Sequence, residues 1–387
     1  MSREPNRHFD VIVVGVGTMG AATCYHLAKR EHSVLGLEQF DIPHQSGSHH
    51  GHSRMIRQSY FEHPNYVPLL RRAYDLWEEL EIESGLDIIH LTGGLYLGPP
   101  EATILGGSKL AAERHDLPHE RLDRAALTKR FPTFQLPDHF EGFYEERAGY
   151  VVPERAMEAH ATLARRNGAV LNEREGLVEW KSEGEGIRVR TNRGEYAADR
   201  LVLTTGAWTS QILDSLAIKL VTTRQLLAWF RPKDALPFEK GRFPCWFIET
   251  DSPYGHYGFP IQEEQAGVKI ALHRPGKPID PNELPAAEAA PNGEELASLR
   301  ETLEQFLPEA IGPLLATRHC LYTNSPDGHF IIDHHPEYPA VILACGFSGH
   351  GFKFATVMGE VIADLTSFGK TNHPIDFLRM NRLAGTN

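Results

Sequence analysis

The apolar positions are densest at the start of the chain. Phe9-Asp10-Val11-Ile12-Val13-Val14 is an apolar, β-branched run of the kind found in strands buried on both faces. Gly15-Val16-Gly17-Thr18-Met19-Gly20 follows at once, residues 21–30 read as a helix, and Ser33 to Glu38 is a second strand. That strand ends in an acid 18 residues after Gly20. The pattern predicts a βαβ unit that binds a dinucleotide. Gly15 permits the tight turn, Gly17 lets the backbone approach a pyrophosphate, and Gly20 lets helix and strand pack closely. The helix N-terminus faces the negative charge, and Glu38 can bond a ribose hydroxyl. The bland alternative, an ordinary glycine-rich turn, does not explain the strand, helix and terminal acid together.

Further along, residues 41–65 are loop-like and rich in His, Ser and Gly, and Tyr66 to Leu80 carries apolar residues at helical spacing. Thr92 to Gly98 predicts a strand. Asp123 caps a short helix through Lys129, and Pro153 opens a helix that runs to Arg166. Residues 177–203 alternate like strands around an Asn192-Arg193-Gly194 turn, and Leu201 to Leu203 leads into a Gly206 turn. Residues 224–273 are strand-rich and aromatic, 274–292 predict a surface loop, and Glu294 to Phe306 an amphipathic helix. Val341 to Ala344 is a last buried strand, turned by residues 346–351 into a final helix from Lys353 to Ser367. The nucleotide-binding elements thus lie at the start, middle and end of the chain. The expectation is an α/β protein, α+β in overall content, with a Rossmann-like domain and a strand-rich substrate domain inserted in it.

Composition narrows the function. With 39 Lys plus Arg against 51 Asp plus Glu, the 387-residue chain carries a formal charge of −12, which disfavours nucleic acid as a partner. Apolar residues at 41% and charged residues at 23% exclude wholesale disorder. The four cysteines, Cys24, Cys245, Cys320 and Cys345, have no CxxC spacing, so neither a disulfide framework nor a thiolate zinc site is expected. The first ten residues are polar and the last four read AGTN, so no signal core and no peroxisomal address is read. No segment approaches 18 apolar residues. A cytoplasmic protein without membrane contact is the expectation. His49-His50-Gly51-His52 invites a metal reading, but no further ligands stand nearby in a known pattern, and no metal is expected.

With these motifs in view, the chain resembles the monomeric sarcosine oxidase and N-methyl amino acid oxidase family, whose flavin is covalent. The marks are VIVVGVGTMG, GSHHGHSRMIR at 47–57, LTTGAW at 203–208, YGFP at 257–260, Cys320-Leu321-Tyr322-Thr323, HFIID at 329–333 and GFSGHGFKF at 346–354. The resemblance spans nearly the whole chain. It implies a glutathione-reductase-type FAD domain (1–90, 150–222 and 320–387) and a catalytic domain (91–149 and 223–319). It implies oxidation of a secondary amino acid by oxygen to an imine and hydrogen peroxide; the imine from sarcosine would hydrolyse to glycine and formaldehyde. It also implies a monomer.

The resemblance assigns roles residue by residue. Cys320 matches the flavin-attachment cysteine, an 8α-S-cysteinyl link that would fix the ring and tune it; Cys24 and Cys345 read as buried hydrophobes. Arg57 and Lys353 match the pair that holds the substrate carboxylate, a fork and a point charge. Arg54 resembles the arginine near the flavin face, and His50 a histidine that contacts the flavin, while Gly349 and Gly351 belong to the cofactor-binding turn. Strand alternation puts Lys269, Ala271 and His273 on one face. The resemblance places Lys269 over the flavin, where an ammonium would stabilise charge developing on oxygen. His273, Tyr257 and Tyr322 would line the substrate pocket, an aromatic box around an amine.

Local context adds to these roles. Arg54 and Arg57 sit in an apolar SRMIRQSY segment with few acids close in sequence, which favours an anion site over an ion pair. His52 replaces an acid found in some relatives. Trp246 and His256, in the variable segment before YGFP, are expected to shape the side-chain pocket and point to a bulkier N-methyl amino acid, such as N-methyltryptophan, or a cyclic imino acid, such as proline or pipecolate. An NAD-dependent dehydrogenase and a non-catalytic nucleotide-binding module are the readings from other classes.

Overall fold

In a computed structural model, the first apolar run becomes the strand His8–Val14, at the centre of a parallel sheet. The structure describes residues 8–383 except 185, 214, 215, 217, 252, 253 and 285–289. The polar start, the AGTN end and part of the expected 274–292 loop lie outside the described residues. The parallel strands run in the order Val170–Asn172, Val34–Leu37, His8–Val14, Glu195–Leu203 and Val341–Cys345. Ile331–His334 and the hairpin Leu177–Glu183 with Gly186–Thr191 add antiparallel edges. Val11 and Val13 join a core that includes side chains of the helices Thr18–Lys29, Pro153–Arg166 and Ala355–Phe368, whereas Ile12 and Val14 join Ile187 and Val189 of the hairpin. Burial on both faces, about 1.5–3 kcal/mol for each such side chain, is why the run lacks polar alternation.

A second sheet has eight strands, in the order Leu314–Asn324, Val221–Phe230, Val268–His273, Tyr254–Phe259, Cys245–Asp251, Gly94–Gly98, Glu141–Glu145 and Glu120–Leu122. Only the Cys245–Asp251 and Gly94–Gly98 pair is parallel among these neighbours. The helix Gly293–Phe306 contributes Leu299, Leu303 and Phe306 to its core. The expected boundary between residues 319 and 320 falls inside the strand Leu314–Asn324, so the strand that carries Cys320 belongs to this sheet.

Most expected elements appear within a few residues. Asp123 accepts the Ala126 N–H at 2.8 Å and caps Arg124–Arg130. The helix expected at Tyr66 to Leu80 runs Val67–Ser84 and stops at Gly85, whose φ of 72° suits glycine. Two differences bear on the site. The 41–65 segment holds a short strand, Arg54–Ile56, that pairs with Gly149–Val151; a partner so distant leaves no local signal. Lys353 lies on a tight turn, Phe352–Phe354, ahead of the final helix Ala355–Phe368, and not in the α-helix itself. No helix among the described residues is long and apolar enough to cross a membrane.

Candidate active site

A cavity of about 350 Å³ opens at the carboxyl ends of the parallel strands, where ligands of open α/β sheets bind. Its wall takes Gly15 and Gly17 after the first strand, Glu38 after the second, Thr204 after Glu195–Leu203 and Gly346 after the last. Gly15 has φ +87°, and a Cβ there would meet the Thr204 carbonyl oxygen at 2.6 Å. A Cβ on Gly20 would collide with the Gly15 carbonyl, so helix and strand touch through these two glycines. Gly17 differs: a Cβ there would approach only the His49 ring, at 3.7 Å, because its open side is the cavity. Gly15 and Gly20 thus serve close packing, and Gly17 keeps its side toward the cavity open. Glu38 is buried on the cavity wall, accepts the Phe40 N–H at 3.0 Å, and burial pushes its carboxyl up to about 7 against backbone hydrogen bonds that oppose the shift.

The histidine segment divides differently from expectation. His49 lines the cavity, whereas His50 is not on its wall. Both ring nitrogens of His50 and Nε2 of His49 are buried without a hydrogen-bond partner among the described residues. An unmet buried polar group costs about 1–3 kcal/mol, so these atoms mark a place where a bound group completes the structure.

A second cavity, of about 70 Å³, adjoins the first, and Arg54, Tyr322, Gly349 and Phe352 belong to both walls. Sheet register builds it. Phe247 lies opposite Tyr96 on one side and Tyr257 on the other, and Tyr257 lies opposite Ala271. Lys269 and His273 flank Ala271 at two-residue spacing on the same face. Cys320 and Tyr322 join that face from Leu314–Asn324, opposite Gln225 and Thr223. His273 Nδ1 is 3.4 Å from the Tyr322 hydroxyl, and Tyr257 and Tyr322 line the same cavity. Gly349, with φ +77°, lets the last turn pass against the Tyr322 ring, where a Cβ would not fit. Gly351 lines only the first cavity.

The same register corrects the reading of Trp246 and His256. Each is one residue from a wall residue, Phe247 and Tyr257, so each points to the opposite face. Trp246 packs edge-on against Phe134, and His256 meets Thr302 Oγ1 at 3.1 Å on the helix Gly293–Phe306. Neither reaches the cavity, and the reason to expect a bulky substrate goes with them.

The charges also differ from the expectation of few acids. Arg57 is buried and holds the Glu62 carboxylate with one guanidinium nitrogen, at 2.8 and 2.9 Å. Burial works to raise the Glu62 carboxyl, but Arg57, His350 and Lys353 outweigh it and hold it below the ordinary value. Glu145 accepts the backbone N–H groups of Gln58 and Ser59 at 2.7 and 2.9 Å, and Glu154 those of Gly51 and His52 at 2.8 and 3.2 Å. Three carboxylates thus fasten the segment that carries both arginines. Only Glu62 could be read from the sequence, five residues after Arg57; Glu145 and Glu154 arrive through folding.

The two lysines are both buried. Lys269 donates to the Gly51 and Ser53 carbonyls at 2.6 and 3.0 Å and to Ser53 Oγ at 3.0 Å, and lines neither cavity. Burial, with Arg54 nearby, pushes its ammonium well below the usual lysine range. Lys353 reaches the second cavity and donates to the His350 carbonyl at 2.9 Å. Burial and Arg57 lower it to about 7, with Glu62 opposing. His273 is held near 4, first by burial, and is neutral at neutral pH. Burial raises the Cys320 thiol, which Arg54 and Lys269 oppose.

Comparison with known proteins decides the cofactor class. Residues 10–365 match the FAD dependent oxidoreductase family. The chain belongs to that family. Monomeric sarcosine oxidase of Streptomyces avermitilis is 41% identical over 379 residues, covering 97% of this chain and 98% of the relative. N-methyl-L-tryptophan oxidase of Escherichia coli is 34% identical over 377 residues, covering 97% and 99%. Among solved structures, NikD, an unusual amino acid oxidase essential for nikkomycin biosynthesis, superposes with a TM-score of 0.82 at 25% identity, over 97% of this chain and 98% of that one. The fold is shared with L-proline dehydrogenase from P. horikoshii, with a TM-score of 0.81 at 23% identity over 98% of both chains. An FAD family removes the NAD-dependent dehydrogenase reading. The residues fit the cofactor: Gly17 opens on the larger cavity, Glu38 waits on its wall, and His49, with an unmatched Nε2, lines it.

Proposed function

We propose that this protein is an FAD-dependent oxidase of secondary amino acids, sarcosine or another N-methyl amino acid, yielding an imine and hydrogen peroxide. The observation that carries the reading is the small cavity beside the cofactor cavity, whose wall brings together Arg57, Lys353, His273, Tyr257 and Tyr322. When bound, FAD supplies the two-electron chemistry, taking a hydride equivalent from the amine and delivering the electrons to oxygen. The chain's own residues do the rest. Arg57 and Lys353 bind the carboxylate; Arg57 already carries Glu62, so the guanidinium is shared or exchanged when substrate arrives. The neutral His273 and the two tyrosine hydroxyls orient the amine without adding a charge that would repel it. The aromatic walls exclude water, which lengthens the reach of each charge.

The covalent link belongs to the same proposal. Cys320 lines the substrate cavity, and the residues after it, Leu321, Tyr322 and Thr323, line the cofactor cavity, so this strand runs from one to the other. Lys269, with Arg54 before it, is the group proposed to assist oxygen. The relatives named monomeric support a monomer, and the working compartment proposed is the cytoplasm.

The test is peroxide release from the purified holoenzyme with sarcosine, other N-methyl amino acids, proline and pipecolate. Peroxide from at least one secondary amino acid, and none from the matching primary amine at comparable rate, is the expected result. No peroxide from any of them removes the proposal.

A further inference from the structure

We propose that Phe247 sets the largest side chain a substrate of this enzyme can carry, confining it to amino acids with no side chain or a methyl group. The inference rests on the proposed substrate class. Relatives named for sarcosine and for N-methyl-L-tryptophan match this chain over nearly its full length, so identity alone does not choose between a small and a bulky substrate.

The cavity itself makes the choice. An apolar cavity of about 150 Å³ holds one benzene ring, whereas this one measures about 70 Å³. It must open even for an amino acid of six heavy atoms, and what can open decides what else fits. Two kinds of wall meet there. Glu62 lies on the irregular chain between the strand Arg54–Ile56 and the turn Pro64–Tyr66, so it can move without breaking a ladder, whereas the Phe61 backbone before it is packed on Gly107, where a Cβ would stand 2.5 Å from the Phe61 carbonyl oxygen. Phe247 lies inside Cys245–Asp251, paired on both sides, with Gly94–Gly98 and with Tyr254–Phe259.

The Phe247 ring is also seated from behind. A Cβ on Gly255 of the neighbouring strand would stand 2.5 Å from Phe247 Cε1, so the ring rests on bare backbone and fills the space a side chain would take. Its centroid is 6.1 Å from Phe61 and 6.2 Å from His273, tilted or edge-on to each. Displacement of Glu62 therefore makes room for a carboxylate and a small carbon skeleton, but the Phe247 ring stays. A side chain the size of an indole meets it.

The experiment uses the FAD-loaded enzyme and non-reacting oxygen isosteres, with flavin absorbance reporting binding. 2-Methoxyacetate mimics sarcosine, and 2-methoxy-3-(indol-3-yl)propanoate mimics N-methyltryptophan. The wild-type protein should prefer the small ligand by roughly 30-fold or more, about 2 kcal/mol at 1.4 kcal/mol per decade, a typical cost of overpacking. Phe247→Ala should reduce that preference at least about tenfold, and Phe247→Leu, which keeps more of the wall if the alanine variant does not fold, by a smaller step. Equal binding of the two ligands by wild type, or a preference unchanged in the variants, overturns the proposal. Peroxide assays on the same samples separate the failures. Sarcosine oxidation with an unchanged preference sinks only the role of Phe247; no methoxyacetate binding and no peroxide from any secondary amino acid sinks the proposed function, and this inference with it.

Discussion

The two adjoining cavities are built on different principles. The larger cavity, proposed for the cofactor, takes several glycines and strand ends into its wall, and the short stretch from Val14 to Glu38 supplies both kinds. The smaller cavity, proposed for the substrate, is walled mainly by long side chains from distant parts of the chain. Arg57 sits beside one short strand, Tyr96, Phe247, Tyr257 and Tyr322 on a sheet formed elsewhere, and Lys353 on the last turn. Backbone recognition asks only for missing side chains at fixed spacing, which a local pattern can specify. Recognition by Arg, Lys, His and Tyr asks for orientation, and here the orientation comes from sheet register and from three carboxylates, of which Glu145 is buried.

The sharpest test of where the two cavities join is Cys320. Cys320→Ala should abolish retention of yellow colour in the acid-precipitated protein, while the wild type keeps it in the pellet. If the variant's pellet stays yellow, or the wild-type flavin all enters the supernatant, the covalent assignment is wrong.

The next largest effect separates the two lysines. Lys269→Met should slow reaction of the reduced enzyme with oxygen by roughly 10²–10³, the usual cost of one preorganised donor at a developing charge, about 2.7–4 kcal/mol. Reduction by substrate should slow much less. Stopped-flow traces of the two half-reactions distinguish them, and equal slowing of both would remove Lys269 from this role.

Lys353 should act only on the other side. Lys353→Ala should weaken 2-methoxyacetate by roughly 30-fold, from a loss of about 2 kcal/mol for one partner of a buried charged contact. Arg57→Ala should weaken it more, because Glu62, partly buried on the same wall, then loses Arg57 and faces the ligand's own charge. An uncharged ester of the ligand should lose little in Lys353→Ala. If ester and acid suffer alike, the clamp is not at this end.

The pH dependence of binding follows from Lys353 and has a definite sign. In the empty cavity the ammonium is held near 7, below the ordinary lysine value, by burial and by Arg57. A carboxylate ligand favours the charged form. Affinity is therefore full below about pH 7 and falls, by at most about tenfold per pH unit, as pH rises above it. Isothermal titration of 2-methoxyacetate across pH 6–9 checks this, and a flat profile in wild type contradicts it. Lys353→Met should flatten the profile.

The smallest effect is a control on register. His256→Gln should leave the ratio of rates for sarcosine and N-methyl-alanine within about twofold, since surface or remote substitutions usually change energies by no more than about 0.5 kcal/mol. A larger change would mean that the far face of the sheet communicates with the cavity.

Much of the cofactor site is legible from residues alone. The βαβ unit is local, so Gly15, Gly17, Gly20 and Glu38 stand where spacing places them. Alternation puts Lys269 and His273 on one face, and they share one. The differences arise where pairing matters. Trp246 and His256 flank the right segment and so read as pocket residues, but a period of two means that a neighbour in sequence is on the opposite face. Arg57 reads as short of acids as long as only nearby sequence is counted. His49 and His50 differ by one residue, and only the fold tells which of them meets the cavity.

The sequence by itself determined the dinucleotide unit, the succession of elements and the chemical identity of the groups available, because these depend on spacing over a few residues and on side-chain type. Tertiary structure alone decided which groups face one another. It placed Phe247 and not Trp246 on the wall, paired Arg57 with Glu62, and brought Glu145 and Glu154 to the arginine segment. The physical reason is that hydrogen-bonded register and burial couple residues far apart in the chain. A buried cation must find its oxygens wherever folding brings them.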